Sequence, residues 1–408
     1  MSPVTDRLAR RLDTADAIAI GLGSMIGAGV FVAFGPATRA AGSSVLVALA
    51  LAGIVALCNA LSSAQLAAMY PASGGTYVYA RERLGPFWGF VAGWMFVIGK
   101  LASCAAMALA FGSYVAPASA RPLAVAAVLA LVAVNYAGVK KTALLTKALL
   151  AGVLVVLGIV VASAESPDLT RVSFVPDGAA SLLQGAGFLF FAFAGYARIA
   201  TLGEEVERPE RTIPRAIPIA LAIALVVYAI VGATLLATLG ADVLAASPTP
   251  LALVADPRVV AVGAAIAALG SLLSLIAGVS RTAFAMASNR DLPRALAAVH
   301  PRFAVPHRAE LAVGVIVASA VMLADLRDAI GFSSFAVLLY YAIANTCALT
   351  LSTQERRWSP AFAAVGVAGC VAISVSLPLR STLAGAALAI AGAIVYAIKT
   401  YTRPSASR

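Results

Sequence analysis

Twelve stretches of this 408-residue chain are long and apolar enough to cross a lipid bilayer, which takes about 20 residues of helix. They occupy residues 15–40, 44–69, 86–115, 121–137, 142–164, 179–202, 213–240, 258–286, 309–324, 328–352, 359–377 and 381–401. Hydrocarbon offers no water to the backbone, so every N–H and C=O there must be satisfied within the protein, and helices do this segment by segment. The expected fold class is therefore an all-α membrane protein with twelve transmembrane helices. Composition agrees: 62% of the residues are hydrophobic and 12% charged, against about 45–50% and about 25% in soluble domains. Arg7, Arg10 and Arg11 precede the first run, which is too long for a signal peptide and lacks a small-residue cleavage site, so it is expected to remain as a span.

A net charge of +11 invites a nucleic-acid reading, but placement decides against it. With the N-terminus inside, the inner loops and tails hold 22 of the 29 Lys and Arg residues, and the outer loops hold Arg39, Arg121, Arg171, Arg258, Arg327 and Arg380. Basic residues gather on cytoplasmic loops, so the balance reads as topology: a multi-pass protein of the cytoplasmic membrane with both termini inside, and no nucleic-acid partner. Cys58, Cys104, Cys347 and Cys370 all lie in apolar runs without CxxC spacing. They read as small buried hydrophobes, and no metal site is expected.

Two runs carry interruptions. Gly23, Gly27 and Gly29 with Ser24 weaken the first helix at mid-span, and Phe190-Phe191-Ala192-Phe193-Ala194-Gly195-Tyr196 interrupts the sixth. Broken helices in hydrocarbon are tolerated beside protein or a cavity, and paired breaks in two halves of a chain point to a transporter's binding site. Freed N–H groups at a break suit a carboxylate, and freed carbonyls suit an ammonium or a cation. Together they suit a zwitterion such as an amino acid. The blander account, glycines serving close helix packing, fits one break better than two.

Gly23 to Phe31 in the first span, Pro71-Ala-Ser-Gly-Gly-Thr-Tyr-Val-Tyr79 after the second, the sixth-span break and Glu204-Glu-Val-Glu-Arg-Pro-Glu-Arg-Thr-Ile-Pro214 resemble the amino acid-polyamine-organocation (APC) family of permeases. Ser280-Arg-Thr-Ala-Phe-Ala-Met286, Asp291-Leu-Pro-Arg294, His300-Pro-Arg-Phe303 and Pro306-His307 are similar to its bacterial, cationic-transporter-like branch. The resemblance covers nearly the whole chain. It implies a LeuT-like 5+5 inverted repeat plus two C-terminal helices, with helices 1 and 6 discontinuous: residues 1–164 as the first repeat, 165–352 as the second, and 353–408 as the last two spans and tail. It also implies that Ser24, Met25, Ile26, Gly27, Ala28 and Gly29 line the carboxylate side of the substrate site. Phe190, Phe191, Ala192, Phe193, Ala194 and Gly195 would line the ammonium and side-chain part, with Phe191 as aromatic gate. Polyamine and arginine exchangers of the family carry an acid just past this break. Ala197 stands there, which favours a neutral substrate. The family's fifth-span lysine is replaced by Val153, and Lys147, nearer the cytoplasmic end, is expected to snorkel.

Lys100 lies about 22 Å along a helix from Gly85, too deep for easy snorkelling. Gly89 and Gly93 share its face, placing it against a neighbouring helix. Ionisable residues inside a bundle are functional by default, so Lys100 is a candidate coupling group, for a proton or as a fixed cation in place of sodium. The bland account pairs it with carbonyls at a helix break. Ser271 and Ser274 in the eighth span form a possible cation site, although membrane serines more often bond their own backbone. Asn59, Ser62, Ser63 and Gln65 read as interhelical packing, and Tyr340 and Tyr341 as interface aromatics or vestibule residues. Glu204, Glu205, Glu207 and Glu210 could close an inner gate against Arg81, Arg83 or Lys140, or simply be a solvated charged loop.

Gly21 to Gly27 lacks the βαβ context of a dinucleotide loop. His300 and His307 are the two histidines, both in one loop, and no span holds a zinc-type motif, which argues against an intramembrane enzyme. Rings of charge expected of a channel are missing, and a binding sensor remains a rival class. The expectation is a secondary active carrier of a small neutral amino acid working by alternating access, with no cofactor and H+ ahead of Na+ as coupling ion; amino acid exchange or export, or carriage of polyamines or cationic amino acids, are the alternatives.

Overall fold

The computed structural model describes residues 12–70, 74–138, 143–165, 167–176, 178–200 and 206–401. In chain order its helices are α1 Thr14–Met25, α2 Ala28–Val32, α3 Phe34–Ala41, α4 Val45–Met69, α5 Thr76–Arg83, α6 Pro86–Val115, α7 Ala120–Tyr136 and α8 Ala143–Ala162. They continue as α9 Ala179–Phe193, α10 Ala197–Ala200, α11 Pro209–Ala246, α12 Pro257–Ser288, α13 His307–Leu323, α14 Leu326–Leu349, α15 Pro360–Ser376 and α16 Leu379–Tyr401. Among the described residues the extended structure is one isolated bridge, Leu12 to Val206.

Among the described residues, ten helical stretches are long and apolar enough to cross a membrane. Each of the twelve apolar runs in the sequence corresponds to helix, but two helices fall short of the usual spanning length. α13 and α15 have 17 residues each, about 25 Å at 1.5 Å per residue. Both begin beside a proline, Pro306 as N-cap and Pro360 at the first helical position, and cover about the length of the apolar runs 309–324 and 359–377.

Helix ends follow local chemistry. Asp13 caps α1 through Asp16 N in a capping box, and Asp325 caps α14. The long α6 is the central element, packed along α12 and α14, and Gly93, Gly99 and Gly112 admit Met286, Ala336 and the Ala120 backbone where a Cβ would collide. Gly89 lies against Arg81 of α5, and Gly93 against Met286 of α12 and Tyr77 of α5. The glycines beside Lys100 therefore mark neighbouring helices, as their spacing predicted.

The buried carboxylate of Asp291, just past α12, takes a hydrogen bond from Tyr77 Oη at 2.8 Å and from Arg81 at 3.2 Å, and pairs with Lys399 of α16. Arg83 pairs with Glu355 at 2.6 Å. Arg81 and Arg83, two of the basic residues considered for an inner gate, thus meet Asp291 and Glu355. Glu204, Glu205 and Lys140 lie outside the described residues. Lys147 reaches Asp16 in the first turn of α1 at 2.6 Å.

Candidate substrate cavity

Both predicted interruptions are present. α1 stops at Met25, Ile26 and Gly27 leave helical geometry, and α2 restarts at Ala28. α9 stops at Phe193, passes through one 3-10 turn over Ala194–Tyr196, and resumes as α10. The breaks touch each other backbone to backbone. A Cβ on Gly29 would come within 2.7 Å of Ala192 Cα, and one on Gly195 would fall on the Ser24 carbonyl and within 2.7 Å of Met25 N. Glycine is required here because any side chain would wedge the breaks apart.

A cavity of about 140 Å³ lies beside this crossing. Its walls include Ser24, Met25 and Gly29 from the first break, and Phe191, Ala192, Ala194 and Gly195 from the second. The remaining predicted residues sit in the breaks but not in this wall. Ile26 faces a separate space of about 10 Å³, Gly27 abuts Ser271 and Ala28 is buried, Phe190 packs on Tyr341, and Phe193 packs on Tyr228. Alternation around a helix explains the division, since a cavity on one side touches about half of each turn.

The cavity runs along α12 from Ser271 to Ala285, about 21 Å of helix, and reaches the exposed Arg281. Arg198 of α10 also lines it. Toward the other end, Tyr114 Oη donates to the Phe31 carbonyl at 2.7 Å and the two rings meet edge to face, both buried. The space thus extends from the breaks toward one end of the bundle, and is blocked toward the other.

Lys100 lines this cavity with 4% of its surface exposed, and its Nζ donates to the Ala194 carbonyl at 3.2 Å. That carbonyl belongs to the 3-10 turn of the second break, so lysine and break are parts of one arrangement. Ser103, nearly one turn on from Lys100, shares a 2.6 Å hydrogen bond with Ser333 of α14. Among the described lining residues, Lys100, Arg198 and Arg281 are basic and none is acidic.

The two serines of the possible cation site differ. Ser274 donates to its own backbone at Gly270, 3.1 Å away, while the buried Ser271 Oγ has no hydrogen-bond partner. Tyr340 and Tyr341 are neither vestibule nor interface residues. Both are buried; Tyr340 Oη accepts from Thr76 N at 3.0 Å, and Tyr341 stacks on Tyr196 with ring centres 5.0 Å apart. Asn59 accepts from Asn345 at 2.6 Å and from Cys370 at 3.3 Å, an interhelical role as its cluster suggested.

Two residues were missed at the sequence level. Tyr228 of α11 places its hydroxyl 2.6 Å from the Met25 carbonyl and 3.0 Å from the Ala192 carbonyl, bridging the two breaks. A tyrosine at mid-span, whose hydroxyl must find a partner in hydrocarbon, was the available signal. Glu310 of α13 is 3% exposed, and its Oε2 has no hydrogen-bond partner. It stands just inside a charged helix start, where sequence alone assigns it to the interface.

Apolar helices of spanning length around a cavity at two crossed helix breaks describe a multi-pass membrane protein, and its family and relatives mark it as a transporter rather than an enzyme. The amino acid permease family profile matches residues 12–399, and the chain belongs to that family. An uncharacterized transporter of Mycobacterium tuberculosis is 58% identical over 97% of this chain and 92% of its own. The serine/threonine exchanger SteT of Bacillus subtilis is 28% identical over 80% of each chain. Human cationic amino acid transporter 4 is 28% identical over 87% of this chain and 61% of its own.

Proposed function

We propose that this permease is a proton-coupled secondary active carrier of a small neutral amino acid, with twelve spans in a LeuT-like inverted repeat, both termini cytoplasmic, in the cell membrane. The carrying observation is the cavity at the crossed breaks, which holds Lys100, Arg198 and Arg281 and, among described residues, no carboxylate. The backbone N–H of Gly29, in the first turn of α2 and in the cavity wall, receives the substrate carboxylate, and carbonyls of the second break receive its ammonium. Phe96, Met107, Phe191 and Leu275 surround the side chain with apolar surface. A cationic side chain would meet the like charge of Lys100 in a low-dielectric site, a serious cost. The cationic transporters among the relatives therefore share the frame more closely than the selectivity, and the serine/threonine exchanger is the better guide to substrate size.

Blocked at Phe31 and Tyr114 and extending to Arg281, the cavity corresponds to one of the two states of an alternating-access cycle. Lys100 is the proposed coupling residue. Sodium coupling is the second reading, supported by the unpartnered Ser271 Oγ next to Gly27. Purified protein in liposomes, given a panel of competing amino acids with and without sodium and with and without a pH gradient, tests both. Competition by small neutral amino acids and a response to the pH gradient are expected. Competition led by arginine or lysine overturns the substrate assignment, and a strict need for sodium overturns the proton.

A further inference from the structure

We infer that Lys100 and the substrate's ammonium group are mutually exclusive occupants of the Ala194 carbonyl, so that the carrier exchanges a proton for an amino acid. This rests on the carrier reading above and goes beyond it by fixing the coupling step and its direction.

Two carbonyls of the second break that border the cavity already have the protein's own polar groups beside them. Tyr228 stands at Ala192, and Lys100 donates to Ala194 at 3.2 Å. Ala192, Ala194 and Lys100 all belong to the cavity wall, so a substrate ammonium arriving at the break meets the lysine at the oxygen it needs. Two N–H donors on one oxygen bring their nitrogens within about 5 Å. Two positive charges at that separation, away from bulk water, repel strongly.

Ser103 and Ser333 satisfy one another, Cys104 follows Lys100 one turn on with Glu310 of α13 beyond it, and Arg198 of α10 and Arg281 of α12 add positive charge to the same wall. Substrate binding therefore proceeds as Lys100 loses its proton: an N–H bond of the Lys100 ammonium breaks, the proton leaves to solvent by the Arg281 end, and the substrate's ammonium, keeping its own protons, takes the carbonyl. Return of the proton expels the substrate. The amino acid then accumulates in the more acidic compartment, opposite to the outcome when proton and substrate travel together.

Proteoliposomes with an imposed pH gradient and a labelled small neutral amino acid test this in wild type, K100M and K100R. Wild type should concentrate the amino acid on the acidic side and bind it more tightly as pH rises. K100M should lose gradient-driven accumulation and bind about tenfold more tightly with no pH dependence. K100R, which keeps the charge, should bind weakly at every pH. Accumulation on the alkaline side overturns the inference, as does K100M binding no tighter than K100R. Counterflow without any response to pH overturns it while leaving the carrier reading intact, whereas a wild type without counterflow removes the carrier reading itself. If K100M does not survive purification, the direction of wild-type accumulation decides alone.

Discussion

The hydroxyl of Tyr228 donates to the Met25 carbonyl at 2.6 Å, and the same oxygen stands 3.0 Å from the carbonyl of Ala192. One side chain from α11 thus holds the end of α1 and the end of α9 at a fixed separation. Carbonyls freed by a helix break need donors, and a phenol reaches both without introducing charge. Tyr228→Phe keeps the ring contact with Phe193 but removes the shared donor. We expect a loss of about 1–3 kcal/mol in stability, read as a lower melting temperature in detergent, with slowed transport by correctly folded protein. An unchanged melting temperature would show that these carbonyls are satisfied in another way.

Gly195→Ala should be more damaging than any other single-methyl change in the cavity wall. Its Cβ would fall on the Ser24 carbonyl, and backbone cannot rotate aside as a side chain does. A fall in initial transport rate of more than about tenfold is expected, from displaced reacting geometry at a packed crossing. Gly278→Ala is the control in the same wall, because nothing lies within 4 Å of the added atom, and it should transport within about twofold of wild type.

Charge in the cavity predicts selectivity. Lysine and arginine should compete at least about tenfold more weakly than alanine or serine, since each adds a like charge beside Lys100, Arg198 and Arg281. Arg281→Glu should narrow that difference. A competition series in proteoliposomes reads both, and equal inhibition by lysine and alanine in wild type would contradict the assignment.

The Arg83 guanidinium beside Glu355, helped by Ser352 N, holds the Glu355 carboxyl down to about 2 from its ordinary 4.5. A lowered carboxylate contributes stability that is fully present above its ordinary value and is lost as pH falls through its lowered one. This pair should therefore leave the melting temperature unchanged between about pH 5 and 9, and contribute a decline between about pH 4.5 and 2 that Glu355→Gln lacks. The pair is exposed enough for solvent to screen it, so the effect should shrink with added salt.

Much of this protein was legible in its residues. Twelve apolar runs dictated helices because hydrocarbon leaves the backbone no other partner, and the glycine-rich stretch and the Phe190-to-Tyr196 stretch located both breaks, at Ile26-Gly27 and at Ala194 to Tyr196, while Gly23 and Phe190 to Phe193 stay helical. The depth of Lys100, with Gly89 and Gly93 on its face, placed it inside the bundle. Which carbonyl it meets was not legible, since Lys100 and Ala194 are 94 positions apart and their encounter depends on how α6 and α9 pack. The same holds for Tyr228, for the pairing of Arg81 and Arg83 with Asp291 and Glu355, and for the face of each break that meets the cavity. Local sequence sets where a helix forms and fails, because those energies are short-ranged. Only the packed bundle decides which freed groups face one another, because that choice is made jointly by residues distant along the chain.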